Sequence, residues 1–112
     1  MNLEYRDRYL TLDWDDIDRD ACIHRMQAIL EDYSNVKELL FRQSPSKSGW
    51  HIRVILHANT NVPLMRFKLQ DDQRRLLHDI FNRADYVHDV LWDRKTIQGK
   101  TFNASEWERY HE

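Results

Sequence analysis

Asp13 and Asp15 stand two residues apart inside an apolar alternation made by Leu10, Leu12 and Trp14. Along a strand, residues i and i+2 point the same way and lie about 7 Å apart, so the two carboxylates share the face opposite Trp14. A hard divalent cation bridges such a gap. Mg²⁺, or Mn²⁺ in its place, takes a few carboxylates and completes its sphere with water and phosphate oxygens. Two such ions can activate an attacking hydroxyl and stabilise a leaving phosphate. The plainer reading makes Asp15 a strand-end or helix-capping residue. Asp13 fits that reading less well, because it sits further inside the strand, where aspartate is disfavoured.

The same alternation recurs twice. Trp50, Ile52, Val54 and Leu56 make one side of a second strand, which leaves His51 and Arg53 on the other. With Trp92 turned inward in the same way, Asp93 and Lys95 point outward. His51 follows Ser46-Lys47-Ser48-Gly49-Trp50, a turn of small residues running into a strand. Such turns expose backbone N–H groups that bind phosphate, and a neighbouring histidine can donate to a phosphate oxygen. Ser46, Ser48, Gly49, His51, Arg53 and Lys95 are the candidate phosphate contacts, and Asp13, Asp15 and Asp93 the candidate metal ligands. Asp79 and Asp89 compete for the third carboxylate, with Asp79 expected on a helix.

The elements that must position these residues follow from periodicity. Residues 9–15 read as a strand. Asp15 or Asp16 can cap a helix, whose positive end Asp18 and Asp20 favour. Cys22, Met26, Ile29, Leu30 and Tyr33 recur at helical spacing as far as Ser34-Asn35. Residues 36–44 are extended, and residues 50–57 are the clearest strand. Residues 58–61 read as a loop. Residues 62–69 are ambiguous: Met65, Phe67 and Leu69 alternate with Arg66 and Lys68 as a short edge strand would. Asp71 is placed to cap a second helix carrying Leu76, Leu77, Ile80, Phe81 and Ala84. Residues 89–96 are expected to form the fourth strand. Asn103 or Ser105 opens a short C-terminal helix with Trp107 and Tyr110.

The order is strand, helix, strand, strand, helix, strand. It predicts an α+β domain of the ferredoxin-like or RRM-like βαββαβ type: a four-stranded antiparallel sheet with two helices on one face and a short C-terminal helix. At 112 residues, a single domain over 1–112 is the natural count. Four Trp, five Tyr and four Phe supply large core units, while two Gly and two Pro argue against a loop-rich chain. The apolar runs are too short to span a membrane. A lone cysteine, Cys22, forms no internal disulfide. Together with an opening segment lacking an apolar signal region, this gives a cytoplasmic expectation.

A formal net charge of −2 names no partner in bulk, but its distribution is uneven. Asp13, Asp15, Asp16, Asp18 and Asp20 form an acidic knot. Basic residues gather at Arg66, Lys68, Arg74 and Arg75 and at Arg94, Lys95 and Lys100. This arrangement suits a cation meeting a phosphate, and equally a solvated, salt-bridged surface.

Leu12-Asp13-Trp14-Asp15 resembles the DxD motif of the archaeo-eukaryotic primase superfamily, the primase–polymerases. Ser46-Lys47-Ser48-Gly49-Trp50-His51 is similar to the second motif of that family, a Ser/Gly turn ending in a strand histidine. Val90-Leu91-Trp92-Asp93-Arg94-Lys95 resembles the third, a hydrophobic–Asp pair. The resemblance covers about residues 10–95. It implies an RRM-like unit for Mg²⁺- or Mn²⁺-dependent nucleotide binding and nucleotidyl transfer in DNA replication. Asp13, Asp15 and Asp93 would hold the metal, Ser48 and His51 would meet a nucleoside triphosphate, and DNA or RNA would be the partner. Catalytic domains of that family usually carry a further α/β unit, so the expectation is a minimal module, a subunit of a larger replication complex, or a relic without activity.

Three other readings fit parts of the pattern. A rolling-circle replication endonuclease needs two close histidines, whereas His51 and His57 stand about 20 Å apart along a strand. An RNA-binding RRM stacks bases on aromatics of its open face, and here the tryptophans are assigned to the core. A non-catalytic interaction module, for example a homodimer that hides an edge strand, would show no dependence on Mg²⁺ or Mn²⁺.

Overall fold

The computed structural model describes residues 6–81 and 91–111. Two long strands carry the alternation read from the sequence, β1 (Arg6–Trp14) and β3 (Trp50–Asn61), and a third, β2 (Val36–Gln43), forms over the run read as extended. Leu10, Leu12 and Trp14 of β1, Leu39 and Phe41 of β2, and Ile52, Val54 and Leu56 of β3 all turn to one face and are buried. Against that face lies α1 (Arg19–Asp32), through Cys22, Met26 and Ile29. The carboxylate of Asp18, rather than that of Asp15 or Asp16, caps α1 by accepting from the Ala21 N–H. Asp18 therefore satisfies one of the unpaired first-turn donors, which frees the two earlier aspartates from this task.

β3 runs four residues further than expected, and residues 58–61 belong to it. It leads directly into α2 (Val62–Lys68), where the alternation of Met65, Phe67 and Leu69 suggested an edge strand. The Asn61 side chain accepts from the Leu64 N–H, and Pro63 stands in the first turn, where its missing N–H costs nothing. Val62, Met65 and Leu69 then recur at helical spacing and join the main core, while Phe67 is left exposed. A third helix, α3 (Gln73–Phe81), follows. Leu76 is buried there, but Leu77 and Phe81 are exposed, so only part of the expected stripe packs inward.

The C-terminal part departs from the expected βαββαβ order. Two strands, β4 (Arg94–Ile97) and β5 (Lys100–Asn103), form a separate exposed hairpin. Both residues of its turn, Gln98 and Gly99, have positive φ, as tight two-residue hairpins require. The portion of the expected fourth strand at residues 89 and 90, the Val90 of the third motif and the Ala84 end of the second helix lie outside the described residues. Trp92 is 76 % exposed instead of facing the core, because the hairpin it precedes covers none of the main core. Residues 104–111 are not helical. They contribute β6 (Glu108–Arg109), which pairs antiparallel with β2 and brings Tyr110 against the core.

Among the described residues the result is an α+β fold, a four-stranded antiparallel sheet in the order β1-β3-β2-β6 with three helices, compatible with a ferredoxin-like arrangement. β1 and β3 are neighbours as anticipated, but β1 lies at an edge of the sheet among the described residues. No described helix is long and apolar enough to cross a membrane.

Candidate functional site

The register of the sheet sets the site. Asp13 lies opposite His51, and His51 lies opposite Arg42. These three alternate with the buried set, so they form one row across the face turned away from α1. The next row is Thr11, Arg53 and Leu40.

At the β1 end of the first row, Asp13 meets Asp15 and Asp72. One carboxylate oxygen from each lies within 4.8 Å of the others. Asp72 comes from the turn between α2 and α3, which is tied to the outer edge of β1. The Asp13 N–H donates to Asp71 Oδ1 (2.9 Å), and the Asp72 N–H donates to the Asp13 carbonyl (3.2 Å). Asp71 is held from behind by Arg66 (2.6 Å), which is fully buried, and by Arg75 (2.8 Å); Arg66 also pairs with Asp79 (2.9 Å). Asp71 is thus an edge clamp rather than the expected helix cap. Asp72 serves the first turn of α3 instead, accepting from the Arg74 N–H on its side chain and the Leu76 N–H on its carbonyl.

The carboxylates crowd one another. Burial, then the charge of Asp15, push Asp13 up to about 7, against the pull of Arg75. Asp15 is also raised, by desolvation first and then by its interactions with Asp72 and Asp16. Oδ1 of Asp13 is buried without a hydrogen-bond partner among the described residues. Three carboxylates, one with an unpartnered buried oxygen, make an oxygen-only donor set that fits a hard divalent cation. They open into a cleft of about 430 Å³ that Arg25 and Arg74 also line.

The turn expected to meet phosphate lies against this cluster. A Cβ on Gly49 would stand 2.5 Å from the Trp14 carbonyl oxygen and 3.3 Å from Asp15 Oδ1, so only glycine lets the turn come this close. Ser46 and Ser48 are exposed and share a hydroxyl contact of 3.0 Å. His51 points away from the core as anticipated, yet it is only 3 % exposed. Its Nδ1 accepts from Arg42 Nε (3.1 Å). Burial, then Arg42 and Arg75, push His51 down to about 4, so it is neutral near pH 7.

Asp93 is not brought to Asp13 and Asp15; it pairs with Arg42 (2.9 Å) at the other end of the row. Asp79 is buried against Arg66. Asp89 lies outside the described residues. Arg53 stands on the open face beneath Trp107, whose ring lies 4.5 Å from its guanidinium carbon. Lys95 is on the exposed β4–β5 hairpin rather than on the sheet.

No family model matches the chain, and neither a curated protein nor a solved structure does.

Two residues of the site escaped the sequence reading. Arg42 was legible in principle, since Leu39 and Phe41 turn inward on the same strand and leave Leu40 and Arg42 facing out. Asp72 had no such signal. It lies in a turn, and its nearness to Asp13 depends on a chain reversal through α2.

Proposed function

We propose that this chain is a small primase–polymerase-like module that binds a nucleoside triphosphate with Mg²⁺ or Mn²⁺ and carries out, or once carried out, nucleotidyl transfer. The observation that carries the reading is the meeting of Asp13, Asp15 and Asp72 beside the Gly49 turn and His51. Asp13 and Asp15 fall in the DxD-like motif, and Ser48, Gly49 and His51 in the second. The RRM-like likeness belongs to this reading as well. It is supported by adjacent β1 and β3 with α1 packed on one face.

Asp13, Asp15 and Asp72 would hold the cation, which when bound supplies charge neutralisation for a triphosphate and lowers the pKa of an attacking hydroxyl. Asp71 and Arg66 fix the Asp72 turn against β1. The Gly49 turn brings Ser46 and Ser48 to the rim of the acidic cluster. Neutral His51 donates a hydrogen bond to a phosphate oxygen. Arg25 and Arg74 line the same cleft and favour an anionic ligand. DNA or RNA is the proposed polymer partner, and the cytoplasm the proposed compartment.

A second reading rests on Leu64, Phe67, Leu77 and Phe81, large apolar side chains left exposed on α2 and α3. They favour a protein partner, either a second copy or a larger replication assembly in which this chain is a subunit. The two readings are compatible. Crystals soaked with Mn²⁺ and a nucleoside triphosphate test the first: anomalous density between Asp13, Asp15 and Asp72 supports it, and bare carboxylates at saturating Mn²⁺ oppose it.

A further inference from the structure

Arg42 is a buried arginine on the sheet face away from the core, and each side of its guanidinium has a defined neighbour. Nε donates to His51 Nδ1 at 3.1 Å. Nη1 pairs with Asp93 at 2.9 Å. The flat face lies on the Trp107 ring, 4.4 Å from its centroid. Trp107 is held in turn by its own segment: the Gln43 N–H donates to Ser105 Oγ (2.8 Å), the Ser105 N–H to the Gln43 carbonyl (3.1 Å), and the Tyr110 N–H to the Leu39 carbonyl (2.9 Å).

Arginine is a donor only and stays protonated in proteins, so the nitrogen it touches on His51 must present a lone pair. A neutral imidazole that accepts at Nδ1 carries its proton at Nε2. Among the described residues no group hydrogen-bonds Nε2. We infer that Arg42 is a positioning residue that, braced by Asp93 and Trp107, fixes the orientation and tautomer of His51 so that Nε2–H is presented as a donor to an anionic oxygen.

This gives Asp93 a role other than metal ligation. It stands at the outer end of the row Asp13, His51, Arg42, and acts on His51 through the guanidinium. Part of the inference, the anionic oxygen, rests on the nucleotide reading; the Arg42–His51 bond does not.

The hydrogen bond is read by NMR on the ¹⁵N-labelled full chain, with His51→Gln used for assignment. The expected result is a scalar coupling across the hydrogen bond between Arg42 Nε and His51 Nδ1, with Nε2 carrying the proton. A His51 protonated at Nδ1, or no coupling, overturns the inference. The positioning role is read by binding of inorganic tripolyphosphate in Mg²⁺. Arg42→Met should weaken it roughly tenfold, the scale of one hydrogen bond to a charged group. In a His51→Ala background the same change should matter less than about twofold, because an effect exerted through His51 disappears with it. Equal losses in both backgrounds overturn the positioning role. If Arg42→Met fails to fold, Asp93→Asn, at an exposed side chain, is read by the same comparison with the same expected pattern. Absence of tripolyphosphate binding in the native protein sinks the nucleotide reading together with the positioning role, whereas absence of the coupling sinks this inference alone.

Discussion

Gly49 lies so close to Trp14 that a Cβ on the glycine would stand 2.5 Å from the tryptophan carbonyl oxygen. The obstacle is backbone on the far side, so it cannot be relieved by a side-chain rotation. Gly49→Ala should push the Ser46–Ser48 turn away from Asp15 and cost about 1–3 kcal/mol, the scale of an overpacked interior. Urea unfolding checks this. A variant as stable as the native chain would mean that the turn and the end of β1 are further apart than described.

The third carboxylate of the cluster is Asp72 and not Asp93. Asp72→Asn should weaken Mn²⁺ binding about as much as Asp15→Asn, and Asp93→Asn should leave it nearly unchanged. Calorimetric titration with Mn²⁺ alone measures all three. Loss of binding in Asp93→Asn with none in Asp72→Asn would reverse the assignment.

Asp13 and His51 are cross-strand neighbours with opposite pH signatures. Asp13 is raised from 3.8 to about 7, so between those values the folded state holds a proton that the unfolded state has lost, and stability falls as pH rises. His51 is lowered from 6.5 to about 4, so between those values the unfolded state holds the extra proton, and stability rises with pH. The two trends offset each other in the native chain between about pH 4 and 6.5. Asp13→Asn should expose the His51 trend, with stability climbing across that window. His51→Gln should expose the Asp13 trend, with stability falling toward pH 7. Denaturant titrations across pH 4–7.5 measure both slopes, and parallel profiles for the two variants would contradict the burial of these groups.

Two tryptophans expected to be equivalent are not. Trp14 is 2 % exposed and its indole N–H donates to the Leu69 carbonyl at 3.0 Å, whereas Trp92 is 76 % exposed. Trp14→Ala should cost about 3–5 kcal/mol, the range for a buried aromatic truncation. Trp92→Ala should fall within about 0.5 kcal/mol of the native chain, as surface substitutions do. Iodide quenching should likewise reach Trp92 and spare Trp14.

The contrast between these tryptophans marks how far periodicity carries. Alternation placed β1 and β3 because each has three or four large apolar residues on one side, and burial on the sheet enforces that register. It placed Asp13, His51 and Arg53 on the opposite face for the same reason. Trp92 has the same local pattern, but nothing in the local pattern shows whether a core lies beneath it. Met65, Phe67 and Leu69 mimicked a strand because the signals that decide for a helix, the Asn61 cap and Pro63, precede the alternating run. Asp72 was illegible for a further reason: its distance from Asp13 is set by a hydrogen-bonded turn at Asp71, 58 residues downstream of Asp13. Asp71 reads as a helix cap, yet it clamps the sheet edge, and its neighbour Asp72 faces the cleft.

In the proposed site, Asp13, Asp15 and Asp72 hold a divalent cation for a triphosphate contacted by the Gly49 turn and His51. This arrangement is tested most directly by titrating the native chain with a non-hydrolysable nucleoside triphosphate, with and without Mn²⁺, beside Asp13→Asn/Asp15→Asn. The expected result is saturable binding that requires Mn²⁺ and is lost in the double variant. Contradiction would be no binding by the native chain at millimolar Mn²⁺, or binding that the double variant retains in full.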